Sequence, residues 1–561
     1  MNGMRDLIRR LFAGITMWVI AVFPLLLAVA CALPCFWGGW GCIWEGHDYD
    51  FYFLPHISRN LLGGGLCFVI LAIVFSKLCR LYCAHPRFSG SVGMFLTALL
   101  VRLVIVAALR NMVSPVCDFA QSWERACSGD AIVVPYCSHL LYPAWMNYSM
   151  FEYLLARVFG EHFIVVLLTN AVFDAVTAAM IYYIAFMLFR CRSVATIASL
   201  LYAFYPTSLA YVLTATPEHL SIACFAVVAA SFIAYVTREI SLLKTCLYSF
   251  AVGVVAGVGN SMKPILLIYF AAISICLVVD VVLCTDNRIR KMSKHSIAFG
   301  CFIAAQICTS GLVLSCTESV FHADLSHVDP TPHYFCIGLN RQGEGQIHLG
   351  SLSRQWTLRM VAGYSRDRAN KEVFELIVDD WRGNLDQILP FFLKKMVWAW
   401  QDDNVPFKYL IDQVGPKAAM KFGVDKDEVQ LMSTCMYRPE ASQRVKWMDV
   451  IRQSIQTGAF IWYFATMLFG VIGGVWYART HSAEWHYVFV CILILGYAGM
   501  IALGEAQSRY KCLIMPYVFV LIAPFVTRYI ILRNMEKYCR CNFHHCRDVG
   551  EPLRGHEPAH D

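Results

Sequence analysis

Apolar residues run through this chain in long, barely interrupted stretches. Reading them in windows of about 19 residues predicts twelve helices, each near the roughly 20 residues that cross a bilayer core. The predicted spans are 12-33, 58-77, 92-112, 162-189, 193-213, 218-237, 245-262, 265-284, 296-316, 454-477, 486-504 and 511-532. A helix satisfies its own backbone N–H and C=O groups inside lipid, so the pattern predicts an all-α polytopic membrane protein. The first run follows Arg5, Arg9 and Arg10 and is succeeded closely by further spans, which is unlike a removable signal.

Cationic residues orient the spans, because short cytoplasmic loops are enriched in Lys and Arg. With the N-terminus cytoplasmic, the inner loops collect Lys77, Arg80 and Arg87, then Arg190 and Arg192, then Arg238 and Lys244, then Arg288, Arg290, Lys291 and Lys294. The outer loop 34-57 has none. The expectation is a multi-pass protein of the cell membrane with both termini cytoplasmic. Residues 1-90 then hold an added N-terminal pair of helices, and 91-316 a transmembrane catalytic core with its first outer loop at 113-161. A large extracytoplasmic segment, 317-453, lies between spans nine and ten. The last helices occupy 454-532, and 533-561 form a cytoplasmic tail rich in Cys, His and Arg. Within 317-453, the apolar stretch Ile388 to Trp400 has a Pro and two Lys and is too short to span, so it is expected to lie on the membrane.

Composition supports this picture and narrows the function. The chain of 561 residues is 58% apolar and 15% charged, against about 45 to 50% and about 25% in soluble domains, which excludes a conventional soluble enzyme. The net charge of +7 is distributed between apolar runs, as topology requires, so nucleic acid is not an expected partner. The 24 cysteines are scattered without a disulfide framework. The tail Cys539-Arg-Cys541-Asn-Phe-His544-His545-Cys546 lacks the paired C-x-x-C units of a zinc module.

Several charged residues share the outer side: Asp118 and Glu124, Glu218 after Pro217, Lys263, and Glu505 with Arg509. Charges at such depths are costly unless paired or facing a wet cavity, so they suggest one polar site under an outer vestibule. Asp118 follows span three near the headgroup plane, where a carboxylate can deprotonate an acceptor hydroxyl; the alternative is a helix cap. Lys263 and Arg509 can hold the phosphate of a lipid-linked sugar, or can be snorkelling cations, as Lys511 is expected to be. Arg102 and Asp174 sit mid-span at similar depth and are expected to pair, as a structural tie or a functional pair. Asn147-Tyr-Ser149 matches a glycosylation sequon.

The order of short motifs resembles the GT-C class of integral membrane glycosyltransferases, in particular bacterial relatives of dolichyl-phosphate-mannose-protein mannosyltransferases and of the aminoarabinose lipid A transferases. The stretches are Pro115-Val-Cys-Asp118-Phe; Tyr142-Pro143 through Leu154 to Phe159-Gly160; Asn170 with Asp174; Tyr205-Pro206 then Pro217-Glu218; Lys263-Pro264; His333-Tyr-Phe-Cys-Ile-Gly338-Leu-Asn340; and Glu505 through Arg509-Tyr510 to Pro516. The resemblance implies sugar transfer from a polyprenyl-phosphate donor to an outer-face acceptor, with inversion and without a nucleotide-sugar site. The position matching the family's catalytic acid is Asp118, and His333 and Asn340 fall in the segment that helps to cover donor and acceptor. Asp118 is followed by Phe119 where the mannosyltransferases usually carry a second acid, and spans one and two are additions to the family's pattern.

The combined expectation is an outward-facing transferase in which Asp118 is the base, Lys263 and Arg509 hold the phosphate, and Glu218 and Glu505 orient these cations or bind sugar hydroxyls. Its partners are a polyprenyl-phosphate sugar, membrane lipids, and a protein, lipid or wall-polymer acceptor. Fixed cations can neutralise the leaving group, so no metal is required; a divalent ion held by Asp118 and Glu124 is the alternative. The rival functions are a secondary transporter or flippase, and a surface-polysaccharide polymerase or ligase.

Overall fold

The computed structural model describes residues 14, 53–85, 90–115, 117–130, 142–238, 241–284, 287–325, 335, 338–341, 359, 365–400, 454–470, 472, 486–504 and 508–528. Among them the regular structure is helical throughout, with no strand. The chain forms α1 (Phe53–Ala84), α2 (Ser91–Leu109), α3 (Cys117–Ser128), α4 (Pro143–Phe159), α5 (Ile164–Phe189), α6 (Arg192–Ala203), α7 (Pro206–Tyr211) and α8 (Glu218–Thr237). It continues through α9 (Leu242–Met262), α10 (Leu266–Leu283), α11 (Arg288–Phe321), α12 (Arg366–Arg382), α13 (Ile388–Trp400), α14 (His486–Leu503) and α15 (Met515–Val526).

Among the described residues, seven helices are long and apolar enough to cross a membrane: α1 over Leu62–Ala84, α2, α5, α8, α9, α10 and α11. Each coincides with one of the twelve predicted spans. The apolar helices α14 and α15 are shorter within the described residues, and 454–470 are helical. The predicted span 12-33 lies outside the described residues apart from residue 14, as do residues 34–52 of the expected outer loop and the tail 533-561, while residues 53–57 of that loop begin α1.

Hydrophobicity alone does not say which side of such helices meets lipid; packing decides it. On α2, Leu96, Leu100 and Val104 point outward, while Met94, Ala98, Arg102 and Val106 are buried. Both sets recur at the i, i+4 spacing of a helix face. The largest buried cluster joins α5, α6, α8, α10, α14 and α15.

One predicted span is corrected. Residues 193-213 do not form a single membrane helix but two short ones, α6 and α7, broken at Phe204-Tyr205. Pro206 forces this, since the residue before a proline is driven to extended backbone, and Tyr205 sits at φ −67°, ψ 115°. Beyond α7, residues 212–216 are non-helical yet buried to 1% exposure or less. Non-helical backbone at such a place must be satisfied by the protein itself. Asn170 Nδ2 on α5 donates to the carbonyls of Val212 (3.3 Å) and Thr214 (3.0 Å).

Helix α11 has 34 residues, about 51 Å at 1.5 Å per residue, well beyond a hydrocarbon core of about 30 Å. Its length exceeds that core, with a basic first third and a C-terminal end at Phe321. α13 lays Leu389 and Leu393 outward and buries Phe391, Lys395, Ala399 and Trp400. It rests against α14 and the 3-10 turn Ser508–Leu513, so one face of the expected surface helix is in fact packed into the protein.

Candidate functional site

The polar interior begins at Arg102. Its guanidinium donates to Asp174 Oδ2 from Nε (2.8 Å), to Ser208 Oγ from Nη2 (2.8 Å) and to the Ala203 carbonyl from Nη1 (3.3 Å). Asp174 also accepts from Tyr202 Oη (3.2 Å) and lies 2.9 Å from His219 Nδ1. His219 Nε2 faces the Tyr211 carbonyl at 3.0 Å. Both ring nitrogens thus face oxygens, one on α5 and one on α7. Arg102 and Asp174 are 0% and 1% exposed, so the pair clamps α2 to α5 while neighbouring bonds fix the α6–α7 break and the start of α8.

The segment after α2 folds α3 against α4. Ser122 and Arg125 lie one and two turns beyond Asp118, the i+4 and i+7 positions of the same helical stripe. Ser122 Oγ donates to Glu152 Oε2 (2.6 Å) and lies 2.9 Å from Ser149 Oγ. Arg125 Nη1 donates to Ser149 Oγ (3.0 Å), which donates to the Trp145 carbonyl (3.1 Å). Ser122, Arg125, Ser149 and Glu152 are all fully buried. Burial pushes the Glu152 carboxyl up to about 8, outweighing the opposing Ser122 hydrogen bond and Arg125 charge. The Tyr148 phenol is likewise raised, first by burial and then by the carboxylates of Glu152 and Glu218. Tyr148 therefore stands between the loop cluster and the next group.

That group is Glu218 with Lys263. Glu218, at the first turn of α8, is 2% exposed; Lys263 Nζ, at the end of α9, donates to its Oε1 at 3.1 Å and is 18% exposed. The ammonium also sits 4.4 Å from the centroid of the Tyr510 ring. The turn beginning at Ser508 is thereby brought against Lys263, with Arg509 one residue from the contact. Asn147 closes the floor: its Nδ2 donates to the Ser261 carbonyl (3.0 Å) and its Oδ1 accepts from Thr317 Oγ1 (2.8 Å). At 4% exposure and with both ends of its amide engaged, the asparagine of the sequon match is a packing residue here.

A second junction gathers the late motifs. Lys395 is fully buried, and its ammonium donates to the carbonyls of Gly338 (2.6 Å), Ala502 (2.7 Å) and Gly504 (2.5 Å). An ammonium has three donors, so Lys395 is saturated and caps the C-terminal end of α14. A Cβ at Gly338 would lie 2.2 Å from the Leu503 carbonyl, and only glycine permits this approach. The Gly338-Leu-Asn340 motif is thus held beside the end of α14, with Asn340 buried at 2% exposure.

The structure brings together Glu218 and Lys263, and separately Arg102 and Asp174. Glu124 is exposed on α3, six residues beyond Asp118. Among the described residues no cluster of His, Cys, Asp and Glu suits a metal. Lys511 does not snorkel: it is fully buried, 3.3 Å from Tyr463 Oη and 4.4 Å from that ring's centroid. Glu505 and His333 lie outside the described residues, and for Asp118 and Arg509 the structure describes the backbone, within α3 and the 3-10 turn. Sequence reasoning missed Glu152, Tyr148, His219 and Lys395. An acid and a tyrosine at i, i+4 in an otherwise apolar helix were the available signal for the first two; the other two carried none.

Residues 146–311 match the family model described as dolichyl-phosphate-mannose-protein mannosyltransferase. No curated protein and no solved structure matches. The matched segment runs from α4 through most of α11 and contains Tyr148, Glu152, Asp174, Glu218, His219 and Lys263, whereas Asp118 and Arg509 lie on either side of it. The match indicates a membrane glycosyltransferase of the GT-C type.

Proposed function

We propose that this protein transfers a sugar from a polyprenyl-phosphate donor to an acceptor at the outer face of the membrane, with inversion. The observation that carries the reading is the Lys263–Glu218 pair under Tyr510, within a segment matching the mannosyltransferase family. Glu218 and the ring fix the ammonium in place, and its remaining donors suit a phosphate oxygen. A cation already held there gains strength as charge develops on the leaving phosphate. Arg509, next to Tyr510 in sequence, is the second phosphate ligand, with Glu505 as its orienting acid.

Asp118, in the first turn of α3, takes the proton of the acceptor hydroxyl as its oxygen attacks the anomeric carbon. The bond from that carbon to the phosphate oxygen breaks, and the polyprenyl phosphate leaves with the electron pair. The buried α3–α4 cluster sets the position of Asp118, which general-base catalysis requires to within hydrogen-bond reach. Glu124 and the segment holding His333 and Asn340 bind sugar or acceptor from above.

The test is transfer of labelled sugar from a panel of polyprenyl-phosphate donors in reconstituted vesicles. Asp118→Asn should lower turnover by about 10² to 10⁴, and Lys263→Met should lower it with a larger loss at low donor. Unchanged turnover in Asp118→Asn removes it from the chemistry. Absence of transfer with every donor favours the flippase or the polymerase reading.

A further inference from the structure

Helix α13 grips one short segment of the chain at both ends. Near its middle, Lys395 donates to the Gly504 carbonyl at 2.5 Å. Five residues on, Trp400 closes over Lys511, whose ammonium lies 5.9 Å from the centroid of the ring. Lys395 and Trp400 are fully buried, and they stand about 7.5 Å apart along the helix axis at 1.5 Å per residue. Between Gly504 and Lys511 the sequence runs Glu505-Ala-Gln-Ser-Arg509-Tyr510. It carries the acid, the cation and the ring that the transferase reading sets at the donor phosphate.

The grip on Lys511 is built from several groups. Tyr463, on the helix of residues 454–470, has its ring centroid 4.4 Å from the ammonium. Its Oη accepts from Lys511 Nζ at 3.3 Å and donates to the Trp400 carbonyl at 2.7 Å. Lys511, Tyr463 and Trp400 are each 0% exposed. Burying an ammonium is costly, and an apolar side chain would fill an aromatic pocket without that cost. What the charge adds is direction, because a cation attracted to two rings and bonded to one hydroxyl has a single seat. From that seat the preceding residue, Tyr510, sets its ring centroid 4.4 Å from Lys263 Nζ, and Arg509 precedes Tyr510 in the same 3-10 turn. Fully enclosed, Lys511 does not itself reach a ligand.

We infer that Lys511, seated by Tyr463 and Trp400, is a positioning residue for the donor phosphate, and that α13 is the strap fixing the segment that bears Glu505 and Arg509. The inference rests on the transferase reading, in which Arg509 and Lys263 hold that phosphate. It adds a residue that acts on the phosphate only through Arg509. Loosening Lys511 lets the turn shift and Arg509 with it, and a small misplacement of a binding group is enough to lose its contact. Lys263 keeps its own support in Glu218. Lys395 also donates to the Gly338 carbonyl at 2.6 Å, so the Gly338-Leu-Asn340 motif and the phosphate turn are anchored on one helix.

The experiment measures binding of a polyprenyl phosphate, and of the uncharged polyprenol of the same length, to the full chain in nanodiscs. The parent should prefer the phosphate. Arg509→Gln should cut that preference about ten-fold, the loss of one hydrogen bond between charged groups, and Lys511→Met should cut it comparably with polyprenol affinity unchanged. Because Lys511 acts through Arg509, the double variant should be little worse than Arg509→Gln alone, whereas independent losses would multiply to about a hundred-fold. Tyr463→Phe keeps the ring and removes the hydroxyl, and serves where Lys511→Met does not fold: the preference should fall about three-fold. A Lys511→Met or Tyr463→Phe protein that keeps the parent's preference overturns the inference. So does one that loses phosphate and polyprenol alike, as a merely structural defect would, and so does a multiplicative double variant. If Arg509→Gln itself leaves the preference intact, the phosphate reading has failed and the inference falls with it; if only the Lys511 and Tyr463 variants do so, the inference fails alone.

Discussion

Glu152 offers the sharpest link between geometry and a measurable number. Its carboxyl is fully buried and titrates near about 8 instead of 4.5. Between those values the folded protein binds a proton that the unfolded chain has released. The slope of unfolding free energy with pH follows the protons bound by the unfolded state minus those bound by the folded state, and here that difference is negative. Stability is therefore greatest below about 4.5, falls as pH rises, and levels off above about 8. At 1.36 kcal/mol per pKa unit, a shift of roughly 3.5 units corresponds to a ceiling of about 5 kcal/mol. Glu152→Gln keeps the shape and a neutral polar head while removing the proton. In thermal unfolding of purified protein between pH 5 and 8.5, the variant should match the parent at the acid end and exceed it at the alkaline end by a few kcal/mol. The neighbours that bear on this titration are Ser122, Arg125 and Tyr148, none altered by the change. Identical slopes in parent and variant would refute the reasoning, since they would mean that the carboxylate is charged and compensated at neutral pH.

Three further outcomes follow from packing. Arg102→Met removes the guanidinium from the buried Asp174 carboxylate, leaving it Tyr202 and His219, and should cost up to about 3 to 5 kcal/mol, read as a lower unfolding temperature and partly recovered by adding Asp174→Asn. Lys395→Met leaves the buried Gly338 carbonyl and the part-buried carbonyls of Ala502 and Gly504 without this donor, at about 1 to 3 kcal/mol for the buried one; limited proteolysis near Arg341 should accelerate, and unchanged cleavage would show the cap to be dispensable. Gly253→Ala should destabilise because its Cβ meets the Phe302 carbonyl at 2.4 Å, whereas Gly300→Ala, with nothing within 4 Å, should be neutral or slightly stabilising through helix propensity. Equal unfolding temperatures for the two would contradict the close α9–α11 contact.

The spans were legible because a membrane helix advertises itself by length and apolarity, and seven of the predicted ones appear as full helices. The exception, 193-213, is apolar enough to read as a span, and only the chain's fold shows that Pro206 divides it. Arg102 and Asp174 were legible for a related reason: a charge at mid-span has few options but a partner. Lys395 was not, and Glu152 was marked only by its i, i+4 spacing from Tyr148, because a snorkelling or solvated charge in an apolar stretch looks identical in sequence. Lys511 shows the ambiguity from the other side, read as a surface cation yet enclosed by Trp400 and Tyr463. What distinguishes such residues is which carbonyls, hydroxyls and rings distant segments bring to them, and a single sequence does not encode that locally.

The buried turn that follows α7 bears on how the chain enters the membrane. A lone α6–α7 pair would expose the carbonyls of Val212 and Thr214 to hydrocarbon, where each unmet group costs several kcal/mol. Their donor is Asn170 on the preceding helix, and the Tyr211 carbonyl finds its partner in His219 on the following one. During synthesis α6 and α7 therefore have no stable resting place as an independent insertion unit. They settle only when α5 is already in the bilayer and α8 has emerged, so that stretch of the chain is delivered to the membrane as one four-helix parcel.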